Sequence, residues 1–125
     1  MRRFRYFLSI VLCLLVLSLA GCQAPVSDDP SGDADIVVEV NGSNYAFSPN
    51  TISVRTGQIV RIELTSRAGT HDWVVDEFNA ATAIAGVGRT VAVEFLADKA
   101  GEFEFYCSVY NHRAMGMVGT LIVED

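Results

Sequence analysis

Gly101-Glu102-Phe103-Glu104-Phe105-Tyr106-Cys107-Ser108-Val109-Tyr110-Asn111-His112-Arg113-Ala114-Met115-Gly116-Met117 is the stretch on which the reading of this chain turns. Its first part alternates strictly. Phe103, Phe105 and Cys107 fall on one face and Glu102 and Glu104 on the other. A period of two with one polar face marks a strand buried on one side. Cys107 ends that strand on the apolar face and points into the top of a core. The second part brings a thiol, an imidazole and thioethers into one loop. Soft sulfur donors beside a borderline nitrogen suit copper cycling between Cu(I) and Cu(II).

The same alternation runs outward from this strand. Val60, Ile62 and Leu64 oppose Arg61 and Glu63, and Val91, Val93 and Phe95 oppose Glu94. Candidate strands cover residues 36–40, 52–54, 58–65, 72–76, 90–96, 102–107 and 118–124. They are short, rich in Val, Ile and Phe, and separated by turn residues, which predicts an all-β sandwich of antiparallel sheets with about 7–8 strands. Residues 78–88 (FNAATAIAGVG) are small and lack a period, so they read as a loop with about one helical turn.

The first 21 residues stand outside this fold. Arg2, Arg3 and Arg5 precede an apolar run at residues 7–19, broken only by Ser9 and Ser18. That run is shorter than the ~20 residues of a membrane span and fits the apolar core of a signal peptide. It ends in Leu19-Ala20-Gly21-Cys22, which resembles a bacterial lipobox. The resemblance implies cleavage before Cys22 and attachment of lipid, palmitate among its acyl chains, at that residue. Residues 22–34 are polar, acidic and without periodicity, and read as a flexible tether. Residues 35–125 then form one small domain.

Beyond Cys22 the chain holds six basic and fifteen acidic residues, a net charge of −9. Such an acidic domain lacks the clustered cations that nucleic-acid binding needs. Its charge favours solubility and basic partners instead. The three cysteines are Cys13, Cys22 and Cys107. Cys13 leaves with the signal segment and Cys22 takes the lipid. Cys107 is then the one free thiol in an oxidising compartment, where a metal is the obvious use for it.

A trigonal copper site needs one donor more than the loop supplies. The chain has two histidines, and the other is His71, in Thr70-His71-Asp72-Trp73-Val74-Val75 after the Ala68-Gly69 turn. A loop-end histidine can meet the top of the Cys107 strand across a sandwich. His71, Cys107 and His112 then make a His2Cys set with a weak axial methionine, the type 1 blue-copper geometry. Trp73 and Tyr106 read as core or edge aromatics rather than redox relays.

At this point the chain resembles the cupredoxins, the plastocyanin and azurin family, over nearly all of residues 35–125. The resemblance rests on His71 in its H-x-W-V context, on 101–107, on Cys-x4-His-x4-Met, and on Val118-Gly119-Thr120-Leu121-Ile122-Val123. Tyr45-Ala46-Phe47-Ser48-Pro49 and Thr56-Gly57 look like the family's early turns. It implies a Greek-key sandwich binding one copper ion. It also favours Met117, between Gly116 and Val118, as axial ligand, with Met115 as the alternative.

Two positions depart from the family pattern. Tyr110-Asn111 stands where relatives often carry Pro-Gly. Asn tolerates a left-handed backbone, so Asn111 is expected to keep the bend, and the Tyr110 ring to lie at the copper's edge. Asp72 stands where relatives often carry Asn. Its carboxylate is expected to accept hydrogen bonds from the ligand loop.

The function expected is single-electron transfer by a monomer at the cell envelope. The carrier would be lipid-anchored on a periplasmic or extracellular face and exchange electrons with redox proteins or membrane respiratory complexes. His112 would serve as the exit, through an apolar patch with Met115. The alternative is a lipoprotein that hands copper to an envelope acceptor. No further histidine or mature cysteine is available for a catalytic or binuclear copper site, so an enzyme is not expected.

Overall fold

A computed structural model describes residues 33–125. The expected signal segment, the expected lipid attachment point Cys22 and nearly all of the expected tether lie outside the described residues. The chain is pinned at its entry. The Asp35 N–H donates to the Ile59 carbonyl at 2.8 Å, and the Asp35 carboxylate accepts from the Ile59 N–H at 2.7 Å.

Among the described residues, nine strands form two sheets. The first has the order β2 (Ala46–Ser48), β1 (Ile36–Ser43), β4 (Ile59–Ser66) and β7 (Thr90–Leu96). The second runs β3 (Thr51–Arg55), β9 (Val118–Glu124), β8 (Gly101–Tyr106), β5 (Val74–Val75) and β6 (Ala80–Ala81). The all-β sandwich stands as expected, with two refinements. It has nine strands rather than 7–8. Its sheets are mixed, because β1 pairs with β4 and β3 with β9 in parallel, while the other pairs are antiparallel. Alternation shows that one face is buried but not which way a neighbour runs, so this pairing is invisible to it.

The residues expected to alternate do so. Val60, Ile62 and Leu64 are fully buried between half-exposed Arg61 and Glu63. They meet Phe105 and Leu121 from the other sheet, and Trp73 just before β5, in one core. Each large apolar side chain so buried contributes about 1.5–3 kcal/mol. Aromatic rings stack through the middle: Trp73 lies 5.2 Å from Phe105 and 6.0 Å from Phe95. Gly119 lets Phe105 in. A Cβ there would fall 2.2 Å from the Phe105 Cζ and 2.6 Å from the Asn50 carbonyl oxygen.

Segment 78–88 is not a plain loop. A 3-10 turn at Asp76–Phe78 leads into β6, and Ala85 then bridges His71. No helix among the described residues is long and apolar enough to cross a membrane. Strands β1, β4 and β8 all deliver the chain to the same end of the sandwich, and the candidate site lies there.

Candidate metal centre

β8 carries Cys107 just past its last residue, fully buried on the Phe105 side. His71 enters from the segment between β4 and β5, and His112 from the loop between β8 and β9. The structure brings the three together. Cys107 Sγ is 3.5 Å from His112 Nδ1 and 3.9 Å from His71 Nδ1. All three donor atoms lie within 4.8 Å of one another.

His71 is held from every side. It is 1% exposed. Its backbone exchanges hydrogen bonds with Ala85, at 3.0 and 2.8 Å. Its Nε2 lies 2.6 Å from the Ala68 carbonyl oxygen. A carbonyl only accepts, so Nε2 carries the proton and Nδ1 turns a bare lone pair to the site. Two glycines make room for the ring. A Cβ on Gly42 would sit 3.2 Å from Cδ2, and one on Gly69 3.1 Å from Nε2; Gly69 also has φ +79°.

Asp72, the next residue, ties this limb to the cysteine limb. It is buried and accepts from the Ser108 N–H at 2.6 Å and from the Ser108 hydroxyl. One carboxylate thus links the residue after His71 to the residue after Cys107.

The His112 loop closes on itself through its backbone. The Cys107 N–H donates to the Met117 carbonyl at 3.1 Å, and the Met117 N–H to the His112 carbonyl at 3.0 Å. These two bonds fix three of the site residues in one ring. Met117 is fully buried with Cys107 in the core, whereas Met115 is 47% exposed. The His112 N–H donates to the Val109 carbonyl at 3.1 Å, which makes Tyr110 and Asn111 the centre of a turn.

The left-handed residue of that turn is Tyr110, with φ 49°, and not Asn111. Propensity points to Asn, but the first central position of the turn takes the positive φ here. Asn111 is exposed and supplies its carbonyl to the Met115 N–H at 3.0 Å. The Tyr110 ring is 91% exposed, with its centroid 6.1 Å from that of His112.

Tyr45 stands closer. Its φ is 66°, and its ring meets the His112 ring edge-on at 4.9 Å. Sequence reasoning placed Tyr45 only in an early turn. Its nearness to His112 is a contact across 67 residues with no local pattern to reveal it. Ser108 and the Ala68 carbonyl were also missed, because the fold alone brings each to its partner and no local pattern marks it. Arg113 stacks on Tyr106, 3.8 Å from the ring centroid, and pairs with Glu104. The Tyr106 hydroxyl donates to Asp76 at 2.9 Å.

Burial pushes the Cys107 thiol above its ordinary range, so the metal-free site holds a protonated thiol at neutral pH. A cation entering the site displaces that proton. Two imidazole nitrogens and one thiol converge within bonding reach of a single point, beside a buried thioether-bearing residue. That donor chemistry fits one copper ion.

The chain belongs to the cupredoxin-like domain family, whose model matches residues 9–123. Solved structures share the fold. Auracyanin B superposes with a TM-score of 0.69 at 21% identity, over 75% of this chain and 92% of its own. Auracyanin A of Chloroflexus aurantiacus, described as a "blue" copper protein, gives 0.64 at 22% identity, over 71% and 98%. Dithionite-reduced auracyanin of Roseiflexus castenholzii gives 0.67 at 23% identity, over 74% and 99%. A comparison with curated proteins found no match.

Proposed function

We propose that this chain is a type 1 copper protein that carries single electrons between redox partners at the cell envelope. The observation that carries the reading is the closed donor set. His71 and Cys107 converge in the buried top of the core, Met117 is buried with them, and His112 alone of the four reaches solvent. When bound, copper supplies a one-electron Cu(II)/Cu(I) couple.

The chain's own residues do the rest. The Ala68 carbonyl and the two glycines fix His71 in one tautomer and orientation. Asp72 and the backbone bonds among Cys107, His112 and Met117 hold the donors in place whatever the charge of the ion. A set that does not rearrange keeps electron transfer fast. The packed sandwich excludes water from the thiolate. His112, half-exposed beside Tyr45 and Tyr110, offers the short path to a partner. Delivery to an acceptor would need donors that release their metal, and buried ones oppose that.

His71, Cys107, His112 and Met117 are the metal-binding residues of this reading, with Met115 outside the set. Residues 1–21 serve as a lipoprotein signal peptide, residues 22–34 as a tether from lipidated Cys22, and residues 35–125 as the carrier domain. The tether keeps the carrier near membrane redox complexes. Cyclic voltammetry of the copper-loaded protein tests the function. A reversible one-electron wave is expected. Copper that is lost on reduction, and passed to a Cu(I) chelator within one sweep, contradicts electron carriage and favours delivery. Lipid labelling that persists in Cys22→Ala would overturn the anchor.

A further inference from the structure

The two ends of the sandwich differ in charge. Residues 41–48, 66–73, 82–90 and 107–117 build the end that holds the site. They contain Arg67, Arg89 and Arg113 against one carboxylate, Asp72. Asp72 is buried and bonded to Ser108, and counting it in full leaves this end with a formal net charge of +2. The other described residues hold twelve carboxylates and three cations, Arg55, Arg61 and Lys99. An acidic molecule thus presents a basic end.

Ion pairing sharpens the contrast. Arg61 and Lys99 each pair with glutamate, and Arg113 pairs with Glu104. Arg67 and Arg89 are exposed, and among the described residues neither pairs with a carboxylate; Arg67 Nε donates instead to the Asn41 side chain at 2.6 Å. The two are neighbours in the fold, because the Ser66 N–H donates to the Arg89 carbonyl at 3.0 Å.

The same end is aromatic and apolar at its centre. A notch of about 160 Å3 opens between Tyr45, Tyr110, Gly69, Thr70 and the two imidazoles. Asn44, Tyr45 and Tyr110, which line it, account for three of the four non-glycine residues at positive φ among the described residues. Such backbone is sterically disfavoured for residues that carry a side chain. Here the strain sets two tyrosine rings around His112. Ile84 and Val87, 61% and 66% exposed, extend the apolar area along the 82–90 segment.

We propose that this end docks a redox partner whose own contact face carries carboxylates around an apolar centre, with Arg67 and Arg89 as the recognition charges and the Tyr45–Tyr110 notch as the central contact. The net charge of the chain favours basic partners, but a docking encounter is steered by the charge nearest the contact. The proposal rests on the electron-carrier reading and adds the partner's chemistry to it.

Stopped-flow oxidation of the reduced, copper-loaded protein tests it. Hexacyanoferrate(III) accepts one electron and becomes hexacyanoferrate(II), and it stands in for the partner's anionic face. Its rate should fall about threefold as salt is raised to ~0.2 M, because attraction between opposite charges is screened. Arg67→Gln/Arg89→Gln should slow it about threefold at low salt, and Arg55→Gln, at the opposite end, should not. A rate that rises with salt, or a double variant as fast as wild type, overturns the proposal. Failure to exchange electrons with hexacyanoferrate and with a cationic cobalt complex alike overturns the carrier reading, and this proposal with it. A readout free of the metal is NMR of the copper-free protein titrated with a hexaglutamate peptide. Shifts are expected at Arg67, Arg89, Tyr45 and Tyr110, and shifts elsewhere or none contradict the assignment.

Discussion

The two histidine limbs of the site are built on opposite plans. His71 is buried, bridged to Ala85, proton-locked by the Ala68 carbonyl and flanked by Gly42 and Gly69. His112 is half-exposed in a loop held mostly by its own backbone bonds, with tyrosines around it. The first limb is scaffold and the second is contact. A site that must hold an ion rigidly yet pass an electron outward needs both. The molecule separates the tasks by burying one imidazole and leaving the edge of the other open.

Replacing each histidine in turn is the hardest test of that division. His71→Gly and His112→Gly should each weaken copper binding more than the roughly hundredfold seen when a supporting hydrogen bond is lost. Only His112→Gly should recover the wild-type copper spectrum on adding free imidazole, since only that vacancy opens to solvent. Equal recovery in both variants would erase the distinction between the limbs.

Asp72 is the joint between the buried limb and Cys107. Asp72→Ala removes two hydrogen bonds to a charged acceptor and leaves the Ser108 N–H without its partner. The metal-free protein should lose about 3 kcal/mol by urea denaturation. A loss under about 1 kcal/mol, the range of an exposed pair, would show that the two limbs stand independently.

Tyr110 sharpens the comparison from the exposed side. Tyr110→Gly releases a side chain from positive φ and should stabilise the metal-free fold by about 1 kcal/mol. Removing the ring should also slow electron exchange, so stability and rate should move in opposite directions. If both fall, the loop depends on the ring as the buried limb depends on its packing.

The smallest effect expected is a pH dependence. Burial raises the Cys107 thiol, and the hydrogen bond to Asp76 raises the Tyr106 hydroxyl. A raised acid binds its proton more tightly in the folded state. Its stability contribution is therefore complete below the ordinary thiol range, near ~8.5, and is lost as pH rises through the folded value. Tyr106 adds the same trend from about pH 10. The copper-free protein should thus weaken as pH rises above ~8.5, and Cys107→Ala should remove the earlier part of the decline.

Much of this architecture was legible in the amino-acid pattern. β7 and β9 match the alternating runs residue for residue, and the other long strands differ only at their ends. β2 and β6 escaped because strands of three and two residues carry no period. The candidate donors could be picked out because sulfur and imidazole are rare enough to be counted. What pattern could not supply was placement. Asn111 has the better left-handed propensity, yet Tyr110 takes the left-handed position of the turn. Tyr45 reaches His112 only through the fold. Arg67, Arg89 and Arg113 are scattered in an acidic sequence, and topology gathers them at one end.

The central claim is that Cys107 Sγ, with His71 and His112, binds one copper ion directly. The visible absorption of the purified protein on adding one equivalent of Cu(II) tests it most directly, with Cys107→Ser measured alongside. The account predicts an intense blue or green thiolate-to-copper band that saturates at one equivalent and is absent in Cys107→Ser. A pale solution, or a colour that survives Cys107→Ser, would contradict it.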